Sequence, residues 1–438
     1  SHTEAPGPSR TIREDSLLGP GQLSFPCPYV LLFVLDPPVA ATMFDFEFDN
    51  FTIRAAVNQW CRGDRASMEK QYGHISNWNT SQVTNMTQLF DNLDDFNDDI
   101  SMWDTSNVAN MSGMFSNATS FNQPIGKWNV SKVTSMTSMF YRAKAFNQPI
   151  GQWDVSSVTN MGYMFLDAEQ FNQPIWHWNV SQVINMGAMF HNAAAFNQPI
   201  GQWDVCNVTS MDFMFLEAAS FNQPIGQWDV GQVTSMEGMF TNAALFDQPI
   251  GNWNVSNVAT MDSMFAGTAA FNQPIGQWDV GRVRRMRAMF HEATSFNQPI
   301  GSWDVSNVTN MDSMFAFATS FNQPIGQWDV GRVTSMEGMF HGAAAFNQPI
   351  GQWDVSAVTR MDKMFAYAVA FNQPIDQWDV SSVTEMHSTL VRARSFKQAL
   401  GRWHLCSRVD TRDYVVYSAE TLSMASKCLE EQCMGDCI

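Results

Sequence analysis

The chain has 438 residues, with 24 Lys and Arg against 42 Asp and Glu, and so carries a formal charge of −18. A pI of about 4.7 argues against nonspecific nucleic-acid binding, which needs a basic surface. The apolar run Tyr29–Leu35 spans seven residues, against the ~20 that a membrane-crossing helix requires.

In chain order, residues 1–42 come first. Residues 1–28 are rich in Pro, Gly and Ser, a composition predicted to stay unfolded because it buries little apolar surface. Arg10 and Arg13 upstream and Val39-Ala40-Ala41 downstream of the apolar run resemble a targeting segment, which Asp36 interrupts. The other reading is a stretch that precedes a translation start at Met43. Residues 43–77 are predicted to form a helical cap, because Ile53, Ala56, Val57 and Trp60 share one helical face after the cap-competent Asp49-Asn50.

From Trp78 to Trp403, fourteen tryptophans recur every 25 residues. A fixed period means one supersecondary unit repeated. Counting each Trp as position 0, the unit reads W-[DN]-V-S-x-V-T-x-M-x-x-M-F-x-x-A-x-x-F-N-Q-P-I-G-x. Trp228 and Val230 flank Asp229, an alternation that predicts a short strand with Trp and Val inward and the acid outward. Met236, Met239, Phe240 and Ala243 follow at helical spacing and predict one short helix. Thr234 and Glu237 then read as its capping box, a pairing repeated with Asp or Glu at Thr309/Asp312, Thr334/Glu337 and Thr359/Asp362. One such unit cannot bury its own apolar stripe, so successive coils are expected to stack. Thirteen parallel strands would extend on the order of 60 Å. The Asn in each F-N-Q-P, such as Asn122, is expected to form a hydrogen-bonded ladder through the stack. Residues 404–438 are expected to close the far end, stapled by Cys406, Cys428, Cys433 and Cys437 if the compartment is oxidising. Cys206 reads as a replacement for the usual Ser.

The run FNQPIGQWDVSSVTNMGYMF resembles the BspA-like leucine-rich-repeat surface proteins, the group with the Mycoplasma-type 25-residue lipoprotein repeat. The resemblance covers about Tyr72 to Gly401, and the segment from Asp49 to Trp78 resembles the entry cap of such arrays. It implies an α/β, leucine-rich-repeat-like right-handed solenoid with one short parallel strand and one short helix per 25-residue coil, about thirteen coils over 78–403. It also implies a place at the cell surface or outside the cell, and adhesion or partner binding. It supplies no ligand residues to carry over.

Candidate binding residues come from the departures and the exposed columns. Position 1 carries Asp104, Asp154, Asp204, Asp229, Asp279, Asp304, Asp329, Asp354 and Asp379, with Asn elsewhere. Stacked, these project as one acidic column, either a scaffold feature or a face for a basic partner or Ca²⁺. Trp176 replaces the usual Gly beside His177, and an exposed ring there suits a sugar or a partner's ring. Arg282, Arg284, Arg285 and Arg287 cluster in one coil and suit an acidic partner or a sulfated glycan. His191, His291 and His341 share one position but lie two or four coils apart, so they are expected to be separate and solvated. Most N-x-[ST] sequons follow from the repeat itself.

No nucleophile, phosphate-loop or zinc-protease motif occurs. The expectation is therefore a non-enzymatic repeat scaffold without a cofactor, Ca²⁺ apart. It would bind a protein or glycan as a monomer or within a larger assembly. An intracellular assembly scaffold is the first alternative, and ice or mineral binding by surface ladders the second.

Overall fold

The computed structural model describes residues 46–403. The expected leader over 1–42 and the closing segment with Cys406, Cys428, Cys433 and Cys437 lie outside the described residues. The fold opens with helix α1 (Thr52–Arg62), helix α2 (Arg65–Tyr72) and a 3-10 turn over Ile75–Asn77. Helix α1 buries Ile53, Ala56, Val57 and Trp60, the four residues whose spacing marks one face. Asp49 starts it by accepting the amides of Phe51 and Thr52 at 3.0 and 2.7 Å.

Thirteen coils follow, joined in register by parallel bridges that run every 25 residues from Asn85 to Glu385. The bridges sit at position 7, not on the W-D-V segment. That segment does alternate as expected, with Trp228 and Val230 buried and Asp229 exposed. Its backbone, however, runs between two tight turns, Trp228 N–H to Ile225 O and Val233 N–H to Val230 O.

The expected helix over Met236–Ala243 is not formed. Positions 10 and 14 have left-handed backbone in every coil, here Gly238 at φ 58° and Asn242 at φ 56°. Those residues break the helical path before an i→i+4 bond can close. The amides of Met236, Gly238, Phe240 and Asn242 reach instead to the carbonyls of Thr260, Asp262, Met264 and Ala266 in the next coil, at 3.2, 2.8, 2.9 and 2.7 Å. Positions 8, 10, 12 and 14 thus donate toward the C-terminal neighbour through most of the stack. The capping box is absent for the same reason. The Thr234 hydroxyl donates to the Thr209 carbonyl one coil back, and the Glu237 amide donates to Asp212 Oδ1.

Left-handed backbone costs a non-glycine residue about 1–2 kcal/mol. Inter-coil hydrogen bonds worth ~0.5–1.5 kcal/mol each, and the packing beneath, offset that cost. The packing is columnar. In every coil but the last, where Leu390 stands at position 12, Phe at positions 12 and 18 form a close pair, as with Phe115 and Phe121 at 3.9 Å between ring centroids. Both repeat upward as stacks, Phe115 on Phe140 at 5.6 Å and Phe121 on Phe146 at 6.0 Å. The tryptophans form a third column, with Trp228 and Trp253 at 6.4 Å and 2° between planes. Each buried indole N–H is satisfied, Trp228 Nε1 donating to Ile200 O at 3.1 Å.

The F-N-Q-P turn adds the expected ladder. Asn122 Oδ1 accepts the Asn147 amide at 2.9 Å and the Gln148 side-chain amide at 3.0 Å. Asp247 takes the same place and the same bonds, which shows that the ladder requires an acceptor oxygen rather than an amide.

Candidate binding faces of the stack

The position-1 column is built by the local turn. In every coil the Asp or Asn Oδ1 accepts the backbone amide two residues on, as Asn129 does from Ser131, Asp154 from Ser156 and Asp329 from Gly331. This is an Asx turn, and it needs one oxygen only, so Asp and Asn interchange. In several coils where position 3 is Ser, its hydroxyl donates as well, as Ser356 does to Asp354 at 2.6 Å. These hydroxyl and amide bonds hold the carboxyls of Asp104, Asp154, Asp304 and Asp354 below the usual carboxylate range. A depressed value stabilises the fold above the ordinary carboxylate pKa, and that contribution is lost as pH falls through the lowered one.

All nine carboxylates are exposed. Among the described residues, no ion pair engages those from Asp104 to Asp354. The run is densest where Asp279, Asp304, Asp329, Asp354 and Asp379 occupy consecutive coils. Gly281 keeps a notch open between two of them. A Cβ placed on it would lie 3.3 Å from Asp279 Oδ1 and 3.4 Å from Asp304 Oδ2.

A second acidic column stands at position 9. Sequence reasoning misses it because it assigns Glu237 and Asp312 to helix caps. Alternate coils carry Asp212, Asp262, Asp312 and Asp362. Each accepts the position-9 amide of the next coil, from Glu237, Arg287, Glu337 and His387, at 3.0, 2.8, 2.9 and 2.8 Å. Asp212 and Asp312 also take the hydroxyls of Ser235 and Ser335. Burial, then the neighbouring Asp262, raises the Glu237 carboxyl. The signal in the sequence is a 50-residue alternation, with Asp at position 9 in one coil and a different residue in the next.

The four arginines do not act as one patch. Arg285 pairs with the buried Asp262, its Nε at 2.7 Å, and Arg287 donates its backbone amide to the same carboxylate. Arg282 donates to Asn257 Oδ1 at 2.6 Å, and the Arg284 carbonyl accepts the Thr309 hydroxyl. Trp176 is 44% exposed and its ring lies against His177.

The histidines depart from expectation. His291 and His341 are half-buried, and Phe317 of the intervening coil joins them. Its ring centroid is 5.9 Å from His291 and 4.6 Å from His341, and Tyr367 continues the row at 5.7 Å from His341. Burial, then Lys363 and His291, lowers the His341 pKa, so this imidazole is neutral at pH 7. Spacing alone conceals the row because its members alternate between positions 13 and 14.

Among the described residues, no three His, Cys, Asp or Glu side chains come together to hold a metal ion, and no helix is long and apolar enough to cross a membrane. A family model described as "Mycoplasma protein of unknown function, DUF285" matches residues 63–176, 149–249, 242–343 and 316–427. No curated protein matches the chain.

Proposed function

This chain belongs to the DUF285 family, and from that premise we propose that it works as a non-enzymatic binding scaffold. The four tandem matches make it a repeat protein. In this reading it is an elongated, BspA-like leucine-rich-repeat solenoid, exposed at a cell surface or outside the cell, that presents a polar face for adhesion or partner binding. The observation that carries the reading is the column from Asp279 to Asp354. The Asx turn uses one oxygen of each side chain and Asn serves it in other coils, so the turn itself does not require the charge. Carboxylates held one coil apart repel, and a Lys- or Arg-rich segment gains by bridging them. A basic protein segment is preferred over Ca²⁺, because no third carboxylate joins any neighbouring pair among the described residues. Ice or mineral binding is less well supported, since the threonine column is engaged through bonds such as Thr334 Oγ1 to Thr309 O.

The test replaces Asp304, Asp329 and Asp354 together by Asn, which keeps every Asx acceptor, as Asn254 does naturally. The probe is an oligolysine peptide. Three exposed pairs at ~0.5 kcal/mol each predict about tenfold weaker binding. Wild-type binding should also fall with added salt, and the melting temperature should change little, since the carboxylates are exposed. Equal affinity of variant and wild type would remove the column from the working face.

A further inference from the structure

The row of aromatic side chains ends in a cleft. Position 14 carries Phe317, Gly342, Tyr367 and Arg392 in four consecutive coils. Gly342 has left-handed backbone at φ 66°, and a Cβ there would collide with the Phe317 ring. The missing side chain lets the Phe317 ring lie against the backbone of the next coil, and His341 then stands between two half-exposed rings, Phe317 and Tyr367. The cleft is shallow and open to solvent, with a volume of about 480 Å³, and its lining includes Phe317, His341, Lys363, Tyr367, Ser388 and Val391. That lies within the range of small-ligand sites, which combine apolar walls with a few convergent polar groups.

Charge narrows the ligand. In a chain of charge −18, the groups at this cleft are cationic. Lys363 lines it, and the Arg392 guanidinium lies over the Tyr367 ring at 5.2 Å. Three acids at positions 7 and 9 of these coils are engaged elsewhere, Glu337 and Glu385 with Arg360 and Asp362 with His387. The faces of Phe317 and Tyr367 suit a flat ring with an apolar face. His341 and the Ser388 hydroxyl supply neutral hydrogen-bonding groups, while Lys363 and Arg392 suit a carboxylate or sulfate. We infer that the Phe317–His341–Tyr367 cleft is a binding site for an acidic sugar, its ring held by the aromatic walls and its anionic group by Lys363 and Arg392. The site goes beyond the aspartate column and stands apart from it, so either can fail without the other.

The experiment titrates the full chain with a tetrasaccharide of a uronic acid, the uronate monosaccharide, a neutral tetrasaccharide and phenylacetate. The uronate tetrasaccharide should bind and the neutral one should not. Tyr367→Ala removes one stacked ring, worth ~1.4 kcal/mol or more, and should weaken binding about tenfold. The pair Lys363→Gln and Arg392→Gln should weaken it at least as much and flatten its salt dependence. Both positions are exposed, so circular dichroism should be unchanged; if Tyr367→Ala nevertheless unfolds, the Lys363/Arg392 variant decides alone. The triple change of Asp304, Asp329 and Asp354 to Asn should leave sugar binding intact. Binding of the monosaccharide as tight as the tetrasaccharide assigns the cleft to a free or terminal sugar acid, and tighter tetrasaccharide binding assigns it to a polymer. Both results support the site. No binding of either uronate, equal binding of the neutral sugar, tighter binding of phenylacetate, or indifference to the substitutions would overturn it.

Discussion

Trp228→Ala should cost about 3–5 kcal/mol, the range for truncating a buried aromatic. Its indole is 3% exposed, stacks on Trp253 and lies against Phe215, and its N–H satisfies the Ile200 carbonyl. Truncation therefore leaves a cavity and removes one of the two hydrogen bonds that Ile200 O accepts, the other coming from the Trp203 amide at 3.1 Å. Each coil touches only its neighbours, so the loss should be local, and one global unfolding energy is a poor measure in a repeat array. Amide exchange is the better readout: Phe215 and Phe240 should lose protection while Phe340 keeps it. Trp228→Phe should refill part of the space and lose only the indole hydrogen bond to Ile200 O, which keeps the Trp203 amide, at ~0.5–1.5 kcal/mol. Gln227→Ala, next in sequence but exposed, should change stability by less than ~0.5 kcal/mol. Equal losses for Trp228→Ala and Gln227→Ala would mean that the inward phase of this segment is misassigned.

Arg54→Met should unpick the N-terminal end of the stack. The first coil has no preceding coil to donate to its carbonyls at positions 7, 9 and 13. Helix α1 supplies the donors instead: Arg54 Nη1 reaches Thr87 O at 2.6 Å and Nη2 reaches Asn85 O at 3.4 Å. Arg62 reaches Asn92 O at 3.0 Å and Asp91 O at 3.4 Å. The opposite polarity is met as well, with Asn50 Oδ1 accepting the Thr84 and Asn85 amides at 2.8 and 2.9 Å. Positive charge is in place here, because the aligned peptides point their carbonyl ends this way, as at the C-terminus of a helix. Hydrogen bonds from a charged donor contribute ~1.5–3 kcal/mol, so Arg54→Met should cost about 2 kcal/mol and Arg62→Met, at an exposed site, less. The check is earlier fraying of the first coils in limited proteolysis. A first coil as resistant as the wild type would show that the helix caps by packing alone.

The inward residues were legible because burial leaves a compositional mark. Trp228, Val230, Met236, Met239 and Phe240 are all buried, and a strict period names them without any knowledge of the backbone. The backbone path was not legible from the same pattern. Met236, Met239, Phe240 and Ala243 face inward on a helix, and they also face inward on a chain of left-handed turns, so apolar spacing cannot separate the two. The separating signal was steric. The residues at positions 10 and 14 include Gly238, Asn242, Phe317 and Tyr367 but never Val, Ile or Thr, as left-handed backbone demands of β-branched side chains. The acidic column at position 1 was visible, since a single repeated position carries it. The aromatic cleft was not, because Phe317, His341 and Tyr367 belong to three coils and two positions. Their contact depends on the absent side chain of Gly342.

The carboxylate relay at position 9 bears on how such a chain can change length. Asp212, Asp262, Asp312 and Asp362 each serve the coil that follows, and the served coils carry Glu237, Arg287, Glu337 and His387 there. Excising one coil of 25 residues would preserve the tryptophan, phenylalanine and asparagine columns. It would also set two giver coils side by side, Asp262 against Asp312 for instance, and bring like charges into register at a half-buried site. Excising two coils restores the order of giver and receiver. In this half of the molecule the heritable module is therefore a doublet of fifty residues, and gain or loss of material by recombination is tolerated best in even numbers of coils.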